Sequence, residues 1–103
     1  MLKITLVCAA GMSTSMLMKA MDKYASANNK QMTVRAVAEG KLDSVIDETD
    51  VILIGPQIGF VEDEVKAKVK SRGIPVSVIP MTDYGTMNGE KVVNLALKLF
   101  ESK

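Results

Sequence analysis

A single cysteine, Cys8, ends an apolar run near the start of the 103-residue chain. The segment Ala9-Ala10-Gly11-Met12-Ser13-Thr14-Ser15 follows it and combines small residues, which permit a tight turn, with three hydroxyl side chains. Such a loop can direct several backbone N–H groups to one point, where a helix N-terminus adds partial positive charge. These surroundings suit a thiolate or a phosphoryl group bound to sulfur. We therefore interpret residues 8–15 as a candidate phosphate-binding site.

The cysteine also has a purely structural interpretation, because a lone thiol at the end of a buried strand often serves as a small hydrophobe. Hydroxyl groups would have little to bond beside an inert thiol, whereas a phosphate offers three acceptor oxygens, so we favour the functional interpretation. The spacing excludes a Walker A loop, since no Gly-Lys-Ser/Thr follows, and it excludes a dinucleotide fingerprint, since Gly11 stands alone. A redox pair within the chain would need a second cysteine.

The loop spacing is similar to the Cys-x5-Arg-Ser/Thr signature of low-molecular-weight tyrosine phosphatases. Thr14 stands at the arginine position, and Ser15 keeps the hydroxyl. That arginine would clamp the phosphate and neutralise charge during transfer, and loss of a comparable donor costs on the order of 10²–10³ in rate. The loop therefore favours a phosphoryl carrier, phosphorylated on Cys8, over a hydrolase. The alternative is a small phosphatase with Cys8 as nucleophile and Asp83 as general acid.

The composition narrows the function classes. A net charge of +1 gives no reason to expect nucleic acid as a partner, and aromatic residues, at 4%, are too few for stacking platforms. The absence of histidine removes the commonest metal ligand, and we expect neither a metal nor a cofactor. One unpaired cysteine fits a reducing cytoplasm, and no apolar run approaches the roughly 20 residues of a membrane span. We expect a cytoplasmic protein that does not insert into the membrane.

Strands and helices alternate along the chain. Apolar runs predict strands, and apolar residues at helical spacing predict helices. The predicted strands are Lys3–Val7, Thr33–Ala38, Val51–Ile54 and Val76–Ile79. The predicted helices are Ser13 to about Ala27, Gly40–Glu48, Phe60–Arg72 and Gly89–Glu101. Residues 80–88 are predicted to form a loop. This order predicts one α/β domain over residues 1–103, with a four-stranded parallel sheet covered by helices on both faces. The second strand is less apolar than the others and is expected near an edge.

Three segments follow predicted strands directly: Cys8, Gly55-Pro56-Gln57, and residues 81–85. In such folds ligands bind beyond the carboxyl ends of the strands, so these segments should meet at one rim. Gln57 is interpreted either as a neutral donor to the phosphate or as a loop-packing residue. Asp83 is expected to form a turn rather than act as an acid. For Tyr84 two alternatives stay open, packing over the site or facing a partner.

Eight methionines are many for a chain of this length. Most are expected to fill gaps in the core. Met12 and Met16 lie beside the candidate site, however, and Met81 and Met87 bracket the later loop. These four could form an adaptable apolar surface that meets two partners in turn.

Three segments together carry a family resemblance: Val7-Cys8-Ala9-Ala10-Gly11-Met12-Ser13-Thr14-Ser15, Ile54-Gly55-Pro56-Gln57-Ile58 and Tyr84-Gly85. The chain resembles the enzyme IIB component of sugar phosphotransferase systems (PTS) of the lactose/cellobiose (chitobiose) type, over its whole length and in its order of elements. The resemblance implies that Cys8 accepts a phosphoryl group from a phosphohistidine on the IIA protein and passes it to a sugar bound by the membrane IIC component. It also implies a four-stranded parallel sheet with helices on both sides. We expect a monomer that docks transiently at the inner face of the membrane, and the resemblance does not specify the sugar.

Overall fold

Four parallel strands form the sheet, in the spatial order β2-β1-β3-β4. The structure is a computed structural model that describes residues 1–8 and 12–102, the side chains of residues 12 and 13 excepted. The strands are β1 (Leu2–Cys8), β2 (Met32–Ala38), β3 (Val51–Ile54) and β4 (Val76–Val78). The predicted alternating α/β architecture with a four-stranded parallel sheet is confirmed.

The two central strands are the most apolar, because each is covered on both faces. All four residues of β3 are buried, as are the middle four of β1. Strand β2 is only partly buried and pairs with β1 alone, which confirms its expected place at an edge. In the β1–β2 register Cys8 lies opposite Ala38, so the thiol stands at the carboxyl end of an inner strand.

One face of the sheet is covered by three helices, α1 (Met12–Ala27), α3 (Met81–Gly85) and α4 (Gly89–Glu101). Helices α1 and α4 approach each other closely where α4 begins. A Cβ atom added at Gly89 would overlap the backbone carbonyl of Ala20. The core on this face is built from side chains of the two central strands, of the residue after β4, and of α1, α3 and α4, namely Ile4, Leu6, Leu17, Met21, Val51, Leu53, Ile79, Tyr84, Val92, Val93 and Ala96.

The opposite face is covered by helix α2 (Glu62–Val69) and by two short 3-10 segments, Glu39–Ser44 and Ile46–Glu48. Leu42 from the first segment is fully buried beside alternate residues of the central strands, such as Val7 and Ile54. The sequence predicts an α-helix over residues 40–48, and the structure corrects this to two 3-10 turns. Both faces of the sheet are therefore covered, as predicted.

Two further segments differ from their predictions. The helix expected over residues 60–72 is divided into a 3-10 segment over Pro56–Val61, α2, and a 3-10 turn over Lys70–Arg72. Pro56 starts the first segment, and Ile58 within it has non-helical angles (φ −124°, ψ 32°), so a regular helix begins only at Glu62. The loop expected over residues 80–88 contains helix α3.

The i,i+4 spacing of Glu62 with Lys66, and of Glu64 with Lys68, predicts two ion pairs on the surface of α2. The pair of Glu62 with Lys66 is present at 3.1 Å. Lys68, expected to pair with Glu64, instead lies 3.4 Å from Asp43 of the neighbouring 3-10 segment. Exposed pairs of this kind contribute about 0–1 kcal/mol each.

Candidate functional site

Cys8 is the last residue of β1 and is half-buried. Its Sγ lies 3.6 Å from the carbonyl oxygen of Val37 in the edge strand and donates a weak hydrogen bond to it. The residues that follow, Ala9, Ala10 and Gly11, lie outside the described residues, so their predicted part in a phosphate-binding loop stays a prediction. The chain is described again from Met12, where α1 begins.

The first turn of α1 directs its hydroxyl groups in different directions. The Thr14 side chain is buried, and its Oγ1 lies 3.0 Å from the phenolic oxygen of Tyr84 in α3. Ser15 is exposed. Thr14, which stands where the phosphatase signature has arginine, therefore bonds inward to a tyrosine of the same chain. The side chains of Met12 and Ser13 lie outside the described residues.

The carboxyl end of β3 lies beside this hydrogen-bonded pair. The Gly55 N–H donates to the Val7 carbonyl at 2.8 Å and so holds the end of β3 against β1. A Cβ added at Gly55 would lie 3.2 Å from Oε1 of Gln57 and 3.9 Å from Cε2 of Tyr84. Glycine thus leaves room for the Gln57 amide and the Tyr84 ring at the rim where β1 ends. The segments after β3 and β4 therefore lie together beside the first described turn of α1, in agreement with the topology.

Asp83 and Tyr84 lie side by side in α3 but in different surroundings. Tyr84 is buried at 6% exposure, so of the two alternatives it packs over the rim. Asp83 is partly exposed and lies within the five-residue helix α3 rather than in an irregular loop, and its role as a turn former stays a prediction. Its backbone carbonyl accepts a hydrogen bond from the Asn88 N–H at 2.9 Å, at the end of α3.

Three large apolar side chains are exposed in the segments that follow the carboxyl ends of the strands: Met16 (58%), Phe60 (83%) and Met81 (68%). Each follows a different strand, and we use the name rim patch for the three residues together. The predicted apolar surface included Met16 and Met81. It also included Met87, which instead packs in part against the core.

The surface predicted from the sequence does not include Phe60. Val61, Val65 and Val69 recur at helical spacing as an apolar stripe, and all three are buried on the face covered by α2. Phe60 precedes this stripe by one position, so it projects in another direction. The exposure of Phe60 could have been predicted from its position, since it is an aromatic residue immediately outside a helical apolar stripe.

The opposite end of the sheet has a pocket of about 270 Å³, lined by Met1, Leu2, Asp50, Leu97 and Phe100. The carboxylate of Asp50 accepts a hydrogen bond from the Lys3 N–H at 2.8 Å. The lining has no thiol or hydroxyl side chain, whereas the thiol of Cys8 stands at the other end of the sheet.

A half-buried thiol stands at the carboxyl end of an inner strand of a four-stranded parallel sheet, and the next described element is a helix, in a small α/β protein. The family model for the PTS system, lactose/cellobiose specific IIB subunit, matches residues 3–95. The chain belongs to this family. It is thus a phosphoryl carrier of a sugar phosphotransferase system, whose IIB components work with IIA and IIC partners. Membership does not favour the alternative of a small phosphatase.

Curated relatives share more than a third of their residues with this chain. The galactose-specific EIIB component of Lactococcus lactis subsp. cremoris is 43% identical over 93% of this chain and 94% of its own length. The cellobiose-specific EIIB component of Lactococcus lactis subsp. lactis has the same identity and coverage. The oligo-beta-mannoside-specific EIIB component of Bacillus subtilis is 37% identical over 96% of both chains.

The fold of this chain is similar to those of solved IIB structures. The cellobiose-specific phosphotransferase IIB component from Borrelia burgdorferi is 47% identical, with a TM-score of 0.84 over 99% of this chain and 94% of that one. The lactose-specific IIB component domain from Streptococcus pneumoniae is 20% identical, with a TM-score of 0.87 over 96% and 97% of the two chains, and supports the fold alone. Within residues 1–8 and 12–102, no helix is long and apolar enough to cross a membrane.

Proposed function

We propose that Cys8 is the residue that carries the phosphoryl group, received from a phosphohistidine of the IIA protein and given to a sugar held by the membrane IIC protein. The observation that carries this proposal is the position of the thiol. It is partly exposed at the carboxyl end of β1, and the next described element is the N-terminus of α1. The first N–H groups of a helix lack intrahelical acceptors and attract negative charge.

The first transfer forms a sulfur–phosphorus bond as the nitrogen–phosphorus bond of the donor breaks. The thiol proton passes to the imidazole that leaves, and the phosphoryl oxygens receive hydrogen bonds from N–H groups at the start of α1. In the second transfer a sugar hydroxyl oxygen attacks phosphorus, the sulfur–phosphorus bond breaks, and the hydroxyl proton returns to the sulfur of Cys8. Both steps are in-line displacements governed by positioning and charge stabilisation.

A carrier must also resist water. Thr14 supplies no guanidinium, and its hydroxyl is bonded to Tyr84 inside the protein. No bidentate cation from this position therefore stabilises the transition state of hydrolysis. We infer that the phosphocysteine persists until a partner docks and completes the transfer site.

The rim patch of Met16, Phe60 and Met81 is the proposed docking surface for both partners. Large exposed apolar side chains lose contact with water on docking, and flexible methionines adapt to more than one partner. We propose that the monomer meets IIA in the cytoplasm and then IIC at the inner face of the membrane. Relatives that are 37–43% identical to this chain are named for different sugars, namely galactose, cellobiose and oligo-beta-mannoside. This variety among similar IIB chains supports assigning the choice of sugar to IIC.

Transfer to and from Cys8→Ser tests this proposal. Phosphorylated IIA is mixed with the wild-type chain or the variant, and membranes containing IIC are then added with a panel of sugars. We expect the wild type and the control Ser26→Ala, an exposed change at the far end of α1, to pass the phosphoryl group to one class of sugar. We expect Cys8→Ser to pass none. A Cys8→Ser variant that accepts and transfers phosphate at the wild-type rate would refute the proposal.

A further inference from the structure

Thr14 and Tyr84 form a buried hydrogen bond between two elements of the site. Their oxygens are 3.0 Å apart, and the two side chains are 3% and 6% exposed. Thr14 belongs to the first turn of α1, whereas Tyr84 belongs to α3, which follows β4. Because the bond is shielded from water, removal of either hydroxyl leaves a buried polar group without this partner.

The backbone of Tyr84 is also held in place, at both of its polar groups. The Tyr84 N–H donates to the Pro80 carbonyl at 3.0 Å, and the Tyr84 carbonyl accepts from the Met87 N–H at 3.1 Å. The ring lies at the end of β3, where a Cβ on Gly55 would be 3.9 Å from Cε2. Tyr84 therefore connects the rim of the sheet to the start of α1.

We propose that Tyr84 is a positioning residue for phosphoryl transfer, acting through Thr14 on the first turn of α1. This inference rests on the proposed role of Cys8. The hydroxyl of Thr14 is directed inward, so the first turn is anchored from inside the protein. The anchor fixes where the N–H groups at the start of α1 lie relative to a phosphoryl group on Cys8. In-line transfer depends strongly on such positions.

The position of Thr14 explains why an internal anchor matters here. The arginine of a phosphatase signature would extend towards the phosphate and bind it directly. In this chain the same position bonds to Tyr84 instead. Stabilisation of the phosphoryl group then depends on backbone donors, whose directions are set by the helix to which they belong.

Transfer kinetics of Tyr84→Phe and Thr14→Val test the inference. Both changes remove a hydroxyl while keeping the shape of the side chain, so the ring contact at Gly55 is retained. We expect each variant to lower kcat for transfer from phosphorylated IIA by about tenfold, with KM little changed, since a lost hydrogen bond corresponds to roughly that factor. Thr14→Ser, which keeps the hydroxyl, should recover most of the rate.

A double variant and a spectrum separate positioning from stability. If Tyr84 acts through Thr14, Tyr84→Phe/Thr14→Val should be no slower than either single variant. The ³¹P resonance of the phosphocysteine should shift in both single variants and not in Tyr24→Phe, a matched control on the outer part of the same core. A wild-type kcat in Tyr84→Phe, or rate losses that multiply in the double variant, would overturn the inference. Failure of the wild-type chain to become phosphorylated on Cys8 would instead overturn the proposed function.

Discussion

The thiol of Cys8 lies 3.6 Å from the carbonyl oxygen of Val37, in the neighbouring edge strand, and donates to it. Formation of a sulfur–phosphorus bond replaces the thiol hydrogen, so this contact loses its donor when Cys8 is phosphorylated. Under the proposed role of Cys8, the contact distinguishes the unmodified carrier from the phosphorylated one. It also holds the side chain on the β2 side of the rim before transfer.

The thiol stretching band reports this contact directly, because the chain has a single cysteine. We expect a Raman S–H band at the lowered frequency of a hydrogen-bonded thiol, and we expect it to disappear on phosphorylation. The ¹³C resonance of the Val37 carbonyl should shift in the same titration. Cys8→Ser supplies the blank spectrum. A band at the frequency of a free thiol would contradict the contact.

The close approach of α1 and α4 predicts a large effect of a small substitution at Gly89. An added Cβ would overlap the Ala20 carbonyl, which belongs to a helix backbone and has little room to move. We expect Gly89→Ala to lower the free energy of unfolding by about 1–3 kcal/mol in urea titrations. In the control Gly40→Ala, nothing lies within 4 Å of the new Cβ, and the chain should gain up to about 1 kcal/mol. Equal effects at the two glycines would show that the helices separate easily.

A buried chain of hydroxyls predicts unequal effects of two similar changes. Thr49 Oγ1 donates to the Val45 carbonyl at 2.8 Å, so in its 2.8 Å contact with Thr5 the hydroxyl of Thr5 is the donor. Thr49→Val removes the acceptor of the buried Thr5 hydroxyl and one of two donors to the Val45 carbonyl, which keeps the Glu48 N–H at 3.0 Å, and it should cost about 1–3 kcal/mol of unfolding free energy. Thr5→Val leaves the Thr49–Val45 bond intact and should cost less.

The double variant gives the second half of that test. Thr5→Val/Thr49→Val removes the donor together with its acceptor, so it should be no less stable than Thr49→Val alone. Urea titration of the three variants measures all the differences. A Thr5→Val variant less stable than Thr49→Val would reverse the assigned direction of the hydrogen bonds.

The rim patch predicts which surface change weakens docking without unfolding the chain. Phe60 is 83% exposed, so Phe60→Ser should leave the free energy of unfolding nearly unchanged. The same variant should raise KM for phosphorylated IIA by about tenfold, with kcat retained, as expected for loss of an apolar anchor at an interface. Phe100→Ser, at the opposite end of the sheet, is the control and should keep the wild-type KM. Equal KM values for the two variants would place docking elsewhere.

The regular parts of the fold follow from local sequence. Val51–Ile54 and Gly89–Glu101 have the predicted bounds, because a short apolar run and a sustained helical stripe are strong signals. Residues 39–48 and 56–61 form 3-10 turns, which share the apolar spacing of a short α-helix over so few residues. Pro56 and the non-helical angles of Ile58 interrupt the second segment, whereas Leu42 of the first is fully buried against the sheet. Such tertiary packing is not visible in local periodicity.

The candidate site could be predicted in outline only. Cys8 was found from its place between an apolar run and a small-residue segment, and the topology placed the later loops at the same rim. The partnership of Thr14 with Tyr84 spans 70 positions, and no pattern along the chain links two hydroxyls so far apart. The alternatives for Tyr84 stayed open because a phenol suits a buried contact and a partner surface equally well.

The most direct measurement is the location of the phosphoryl group in the loaded protein. The chain is incubated with phosphorylated IIA and digested at a mildly alkaline pH that preserves phosphocysteine, and the peptide spanning residues 4–19 is sequenced by tandem mass spectrometry. The account predicts one phosphoryl group on Cys8, absent from Cys8→Ser and removed when IIC membranes and sugar are added. Phosphate on Ser13, Thr14 or Ser15 with an unmodified Cys8, or no phosphate on this peptide, would contradict it.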